Sequence, residues 1–271
     1  MSSDGDLRVT VRPVSSLLPH EETMPDHVEW VARSISEGGV QKDPVIIDKD
    51  TGAVLDGMHR LAAFTKLGLE NVVCCSVAYS SPKISLHRWA RVYETKGSAV
   101  DDALTGLGLT RRDGVAESFA ALEKKQISVL GCAGDQTFSR ADSGDLQAGV
   151  SVVRSLDALA ASLGWKRTFL PEDDVDVAIN SGNNLVVLLQ RLRKSDVVEA
   201  AVSGKLFPCK TSLHVIEDRP VAVNFPVADL GKDAGTRLRD RMSRSRSSRL
   251  PPNSVYDGRR YKESLLLIDA N

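Results

Sequence analysis

The stretch from Pro44 to Gly68, PVIIDKDTGAVLDGMHRLAAFTKLG, leaves its backbone few options. An apolar run through Val45–Ile47 meets a turn at Thr51-Gly52. Ala53-Val54-Leu55 then leads out to Asp56-Gly57, which is the pattern of a β-hairpin. A helix from Met58 to Leu67 must begin at once, and Gly68 closes it. The first N–H groups of such a helix have no intrahelical partner. They point past the strand end with the positive end of the helix dipole behind them. Gly57 permits close backbone approach, while His59 and Arg60 add donors at the same place. Together these make a phosphate cradle without a Walker loop, and Asp56 could hold a Mg²⁺ that bridges the phosphates. On the competing reading, Asp56 caps the helix and Arg60 pairs on the surface. Spacing alone leaves both open.

The flanking sequence builds a unit around this junction. The stretch LRVTVR, from Leu7, alternates at period two and reads as a strand. Thr23 precedes Met-Pro-Asp, a helix-start signature. Val28, Val31, Ala32 and Ile35 then fall on one helical face that stops at Gly38-Gly39. NVVCCSVAY reads as a buried strand. Further on the pattern weakens. Gly97–Gly114 and residues 131–149 read as loops around short strands, and SVVRSLDALAASLGW as a helix. Val175–Ile179 and Leu185–Leu189 read as strand, turn, strand, and SDVVEAAVSGKLF as a helix ending near Gly204. From Gly231 the composition turns to RLRDRMSRSRSSRLPPNS, the signature of a mobile Arg/Ser-rich tail.

Charge bears on partners. The chain has 271 residues and a formal charge of −1. From Gly231 onward ten Lys/Arg face five Asp/Glu, so the tail carries +5 and the rest −6. An acidic body is a poor start for binding nucleic acid, unless the tail does it. The arginines 237, 239, 241, 244, 246 and 249 lack interleaved aromatics, and a solvated linker is the simpler reading. The last segment, from Tyr256 to SLLLI, could pack back on the body or across a homodimer. Four cysteines (Cys74, Cys75, Cys132, Cys209) show no metal-type or disulfide spacing and suit reduced thiols. With no signal-type apolar segment near the start and no membrane-length apolar run, a cytoplasmic location is expected.

Asp-Gly-Met-His-Arg (Asp56 to Arg60) is where a family resemblance enters. The segment from Leu17 to Trp89 resembles the ParB/sulfiredoxin-like superfamily. Sulfiredoxins place a catalytic Cys immediately before His-Arg, where this chain has Met58. ParB proteins carry a Gly-Glu-Arg-Arg type box and a helix-turn-helix domain, neither of which is found here. The free-serine kinases match further. Leu18 to Glu21 (Leu-Pro-His-Glu) is similar to their Lys-Pro-His-Glu, and Ser34, Gly39 and Trp89 fall at family positions. Gly204 to His214 (GKLFPCKTSLH) is similar to their Gly-x-x-Phe-x-Pro-Lys-Thr-Thr-x-His. Leu213 stands where the family has an Arg, and Met58 where it has a His. The resemblance covers roughly residues 11–230.

The resemblance implies an α+β fold, with a ParB/sulfiredoxin-like nucleotide-binding domain over residues 1–96. A second α/β domain, 97–230, would complete a serine site in a cleft, and 231–271 would be the tail. It implies an L-serine kinase that uses ADP or ATP, with Mg²⁺, to make O-phospho-L-serine. Glu21 would be the catalytic base and Asp56 the metal anchor. Leu55 (through its backbone), Gly57, His59 and Arg60 would take the nucleotide. Ser34, Trp89, Lys210, Ser212 and His214 would take serine or phosphoserine. A ParB-like regulator that binds nucleotide and DNA without kinase activity is the alternative.

Overall fold

The computed structural model describes residues 7–95, 100–112, 114–140, 142–181 and 183–269. They divide into two units. The first comprises the described residues up to Ser85, Lys194–Cys209 and those from His214 onward; the second comprises Leu86–Arg193 and Lys210–Leu213.

In the first unit a four-stranded sheet runs in the order Leu7–Pro13, Asn71–Val77, Val45–Asp48, Val54–Asp56. Asn71–Val77 lies antiparallel to the first strand and parallel to Val45–Asp48, so the hairpin and the helix after it form the crossover. All four residues of Val45–Asp48 are buried. Continuous burial explains why that strand reads as an unbroken apolar run rather than an alternation. Gln41 ties down the neighbouring strand: its amide donates to Val73 O at 2.7 Å and accepts from Val73 N at 2.8 Å. The hairpin turn is fastened by Asp48, which accepts from Thr51 N and Thr51 Oγ1 at 3.1 and 2.6 Å. Helices Pro25–Gly38 and Met58–Lys66 bury Val31, Ala32, Ile35, Leu61, Ala63 and Phe64 against this sheet.

Two features depart from the expectation for the tail. Residues 234–244 form a helix, and Arg246–Leu250 pairs antiparallel with Leu265–Asp269, which in turn pairs parallel with Arg219–Val221. Ala234, Leu238 and Met242 are spaced four apart among the arginines. The first two are buried, and Met242 packs on the core that Leu238 and Ile268 help to form. That thin apolar stripe is enough to fold a segment whose composition alone reads as mobile. Val223, Phe225 and Leu230 join the same core. The units therefore do not part at residues 96/97 and 230/231.

The second unit carries an antiparallel sheet in the order Lys166–Pro171, Ile84–Glu94 (from Leu86 on), Asn184–Leu189, Val129–Ala133, Gln136–Ser139, Thr110–Arg112. Helices Val115–Glu123, Leu146–Ser162 and Val175–Asn180 accompany it. The last of these was expected to be a strand. Its alternating Val-Asp-Val suggests period two, yet the buried residues are Val175, Ala178 and Ile179, at helical spacing, and Val177 is 83% exposed. The Gly97–Gly114 stretch holds a short helix, Val100–Gly106, and parts of it lie outside the described residues. Among the described residues no helix is long and apolar enough to cross a membrane.

Candidate active site

Val54 and Leu55 are buried in their strand and bring Asp56 to its end, half-buried. Gly57 follows at φ +100°, in the left-handed region, and a Cβ there would lie 2.8 Å from Arg60 Nη2. Glycine is thus required twice, for the turn and for the guanidinium folded over it. The helix cap is Gly57, with no side-chain cap bond, so Asp56 does not cap. Its carboxylate instead faces three arginines. Arg60 Nη2 and Arg219 Nη1 approach Oδ2 at 2.9 and 3.2 Å, and Arg259 Nη1 stands 3.8 Å from Oδ1. Arg219 is 3% exposed; its Nε donates to Glu263, and its Nη2 donates to His214 O at 2.8 Å.

Glu21 is not a solvated loop acid. Residues 18–22 run between two segments: Val54 N donates to Leu18 O, Phe207 N to His20 O, and Glu22 N to Phe207 O, all at 2.8–2.9 Å. Glu21 is 6% exposed and His20 is fully buried. His20 Nδ1 lies 2.6 Å from Val54 O, which can only accept, so Nδ1 carries a proton. The other ring nitrogen then faces Glu21 Oε1 at 3.6 Å. Glu21 also lines a cavity of about 350 Å³ whose walls are mostly apolar, among them Leu17, Pro19, Met58, Leu61 and Leu206. The proposed base and the first residue of the helix mouth thus share one slot.

His59 Nε2 accepts the Met24 N–H at 3.0 Å, which ties the helix mouth to the loop after Glu21. His214 is buried edge-on to His20, with its Nε2 2.7 Å from the Tyr79 hydroxyl. Burial foremost, with the neighbouring His20, pushes His214 down to about 3, and burial raises Tyr79 well above its usual value. Both are therefore neutral near pH 7, and His214 can serve a ligand only as a neutral ring.

Of the residues singled out from sequence, Glu21, Leu55, Asp56, Gly57, His59, Arg60, Ser34 and His214 lie in the first unit, and Trp89, Lys210 and Ser212 in the second. Ser34 is exposed on its helix, off the face that buries Val31, Ala32 and Ile35. Within the second unit Lys210 Nζ sits 4.7 Å above the Trp89 ring, so two acceptor-side candidates meet as a cation–π pair. Lys210 adopts φ +57°, a conformation uncommon for a side-chain-bearing residue. Arg219, Tyr79 and Arg259 were not anticipated. Arg219 and Tyr79 lie far in sequence from the groups they touch and carry no local signature. Arg259 belongs to a readable Asp-Gly turn whose destination only the fold reveals.

Among the described residues no cluster of three His, Cys, Asp or Glu side chains is set to hold a metal. A Mg²⁺ would rest on Asp56 together with oxygens carried in by a nucleotide. That fits a cation commonly bound by one or two carboxylates plus substrate phosphates.

No family model matches the chain. An ATP-dependent L-serine kinase of Staphylothermus marinus is 34% identical over 244 residues, covering 80% of this chain and 89% of that protein. The ADP-dependent L-serine kinase SerK of Thermococcus kodakarensis is 23% identical over 225 residues, covering 80% and 90%. A solved free serine kinase in complex with AMP superposes with a TM-score of 0.68 at 21% identity, over 84% of this chain and 95% of that one. That similarity extends to the fold, and the identity to the first of these relatives extends to nearly its whole length. The chain belongs to the ADP/ATP-dependent L-serine kinase family.

Proposed function

We propose that this chain transfers the terminal phosphoryl group of ADP or ATP to free L-serine, giving O-phospho-L-serine. The observation that carries the reading is the buried Glu21 carboxylate lining the same slot as the start of the Met58–Lys66 helix. The nucleotide's phosphates take the helix mouth, where the N–H groups after Gly57 and the Arg60 guanidinium supply donors. Its apolar portion takes the slot beside Met58 and Leu61. Mg²⁺ bound through Asp56 would offset charge on the phosphate oxygens.

A serine hydroxyl is a weak nucleophile near neutral pH and needs a base within hydrogen-bond reach as it attacks. Serine Oγ forms its bond to the terminal phosphorus while the bridging P–O bond of the nucleotide breaks. The hydroxyl proton passes to Glu21, whose neighbour His20 presents its second ring nitrogen. On the acceptor side, Ser34, Trp89, Lys210, Ser212 and His214 are assigned to serine or phosphoserine on the family resemblance. Lys210 contributes a cation, Ser212 a hydroxyl and His214 a neutral imidazole.

The test is mass spectrometry of products after incubation with serine, Mg²⁺ and either ADP or ATP. Phosphoserine is expected with the wild type. Glu21→Gln should lose ~10²–10⁴-fold in rate, the usual worth of a general base, while still binding nucleotide. Wild-type turnover in Glu21→Gln removes Glu21 from the role.

A further inference from the structure

The C-terminal segment, outside the stretch that carries the family resemblance, is built into the wall beside Asp56. Leu265–Asp269 is fixed by its two strand neighbours, and Leu265 and Ile268 are buried. Ahead of it Glu263, 5% exposed, pairs with the buried Arg219. Further ahead a tight hairpin pairs Tyr256 with Arg259 and Val255 with Arg260 across Asp257-Gly258. Both loop residues have positive φ, 51° and 74°, the two-residue turn whose twist suits a hairpin. Asp257 at its tip is ion-paired with Lys42 at 2.8 Å, so the hairpin is held at both its base and its tip.

This scaffold presents Arg259. Its guanidinium lies 4.6 Å from the centre of the Tyr261 ring, with Nη1 3.8 Å from Asp56 Oδ1, too long for a hydrogen bond. Its side chain is 34% exposed, and among the described residues it makes no hydrogen bond. A guanidinium offers five donors in a planar fork suited to paired oxygens. Here a tyrosine positions that fork without using it. Next to it Arg60 Nε is buried with no hydrogen-bond partner. Two arginines with unused donors thus converge on the carboxylate at the end of the Val54–Asp56 strand. The remaining charge is closely balanced, with Asp43, Asp56 and Glu263 set against Arg60, Arg219 and Arg259. An arriving polyanion can therefore gain these donors only by taking them over from, or sharing them with, Asp56.

We propose that Arg259, carried by the C-terminal hairpin, is a nucleotide-binding residue that engages the donor's phosphates together with Arg60. This rests on the kinase reading for the identity of the ligand as a nucleoside polyphosphate. It adds a contact from outside the stretch that resembles the family.

The experiment uses the full chain with Arg259→Ala and Arg259→Lys, titrated by calorimetry with ADP and with adenosine, alongside thermal melts and serine-kinase kinetics. ADP affinity is expected to fall about tenfold in Arg259→Ala, the lower end for a charge-assisted hydrogen bond. Adenosine affinity should change less than twofold, Arg259→Lys should recover part of the loss, and the melting temperature should stay close to wild type. In kinetics KM for the nucleotide should rise more than kcat falls. Unchanged ADP affinity overturns the proposal, and so does an equal loss for ADP and adenosine accompanied by a lowered melting temperature, which marks a structural role. If the wild type makes no phosphoserine, the kinase reading fails while the binding arm still decides Arg259. A wild type that binds neither ligand overturns both.

Discussion

Glu263 and Arg219 show how the surroundings of Asp56 are built on buried ion pairs. Arg219 spends its donors on Glu263, Asp56 and the His214 carbonyl while almost wholly desolvated. Removing one partner of such a buried pair leaves a charge uncompensated. Glu263→Ala is therefore expected to cost about 3–5 kcal/mol, read from the shift of a urea unfolding curve. A change under 1 kcal/mol would show that Asp56 alone suffices for Arg219. The four cysteines are all buried, and burial raises Cys74, Cys75 and Cys132 to about 12. Native protein should therefore resist thiol alkylation at pH 8 and react fully only in denaturant, a comparison that mass spectrometry reads directly. At this scale the sequence is most informative where a cluster is local: Asp56, Gly57 and Arg60 lie within one turn, and their proximity was legible. Arg219 was not, because its partners lie 163 residues before it and 44 after, and no spacing rule spans such distances.

Among the elements, the strand-to-helix junction is the most exacting. Gly57→Ala places a Cβ at positive φ and against Arg60 Nη2. It should lower stability by roughly 1–2 kcal/mol and displace the Arg60 guanidinium. The expected readout is weaker ADP binding at a temperature where the variant is still folded; undiminished binding would mean that Arg60 is not needed there. Amphipathic stripes explain which elements could be read in advance. Helices Pro25–Gly38 and Met58–Lys66 announce themselves through buried residues three and four apart, flanked by Pro or Gly. Val175–Asn180 misleads because one exposed valine mimics alternation, and Ala234–Arg244 because arginines outnumber its inward residues. In both cases burial is settled by neighbours distant in sequence, which a local pattern does not contain.

For the molecule as a whole, the second unit carries an acid-sensitive ionic network. Burial alone would raise Glu172, but a hydrogen bond from His87 and the guanidiniums of Arg88 and Arg191 hold it down to about 2. A carboxyl lowered on folding stabilises the native state above its unfolded value near 4.5, and the gain disappears as pH falls toward 2. Wild type should thus exceed Glu172→Gln in stability at pH 6, with the gap closing between about pH 4.5 and 2. A gap independent of pH would assign the effect to packing. The division into units was the least legible feature, because it follows from tertiary pairing. Residues 194–209 and 214 onward return to a unit begun before residue 86, and in the latter stretch Val223, Phe225, Leu230, Leu238 and Ile268 share a core with Val45 and Val72.

That return of the chain sets a timetable. The second unit is nearly all one continuous stretch, whereas the first needs its closing strand, Leu265–Asp269, beside Arg219–Val221. Contacts between remote parts of a chain form more slowly than local ones. During synthesis the second unit can therefore consolidate while the first waits for residues 265–269 to emerge. A nascent polypeptide would carry a finished second unit before the surroundings of Asp56 in the first were complete.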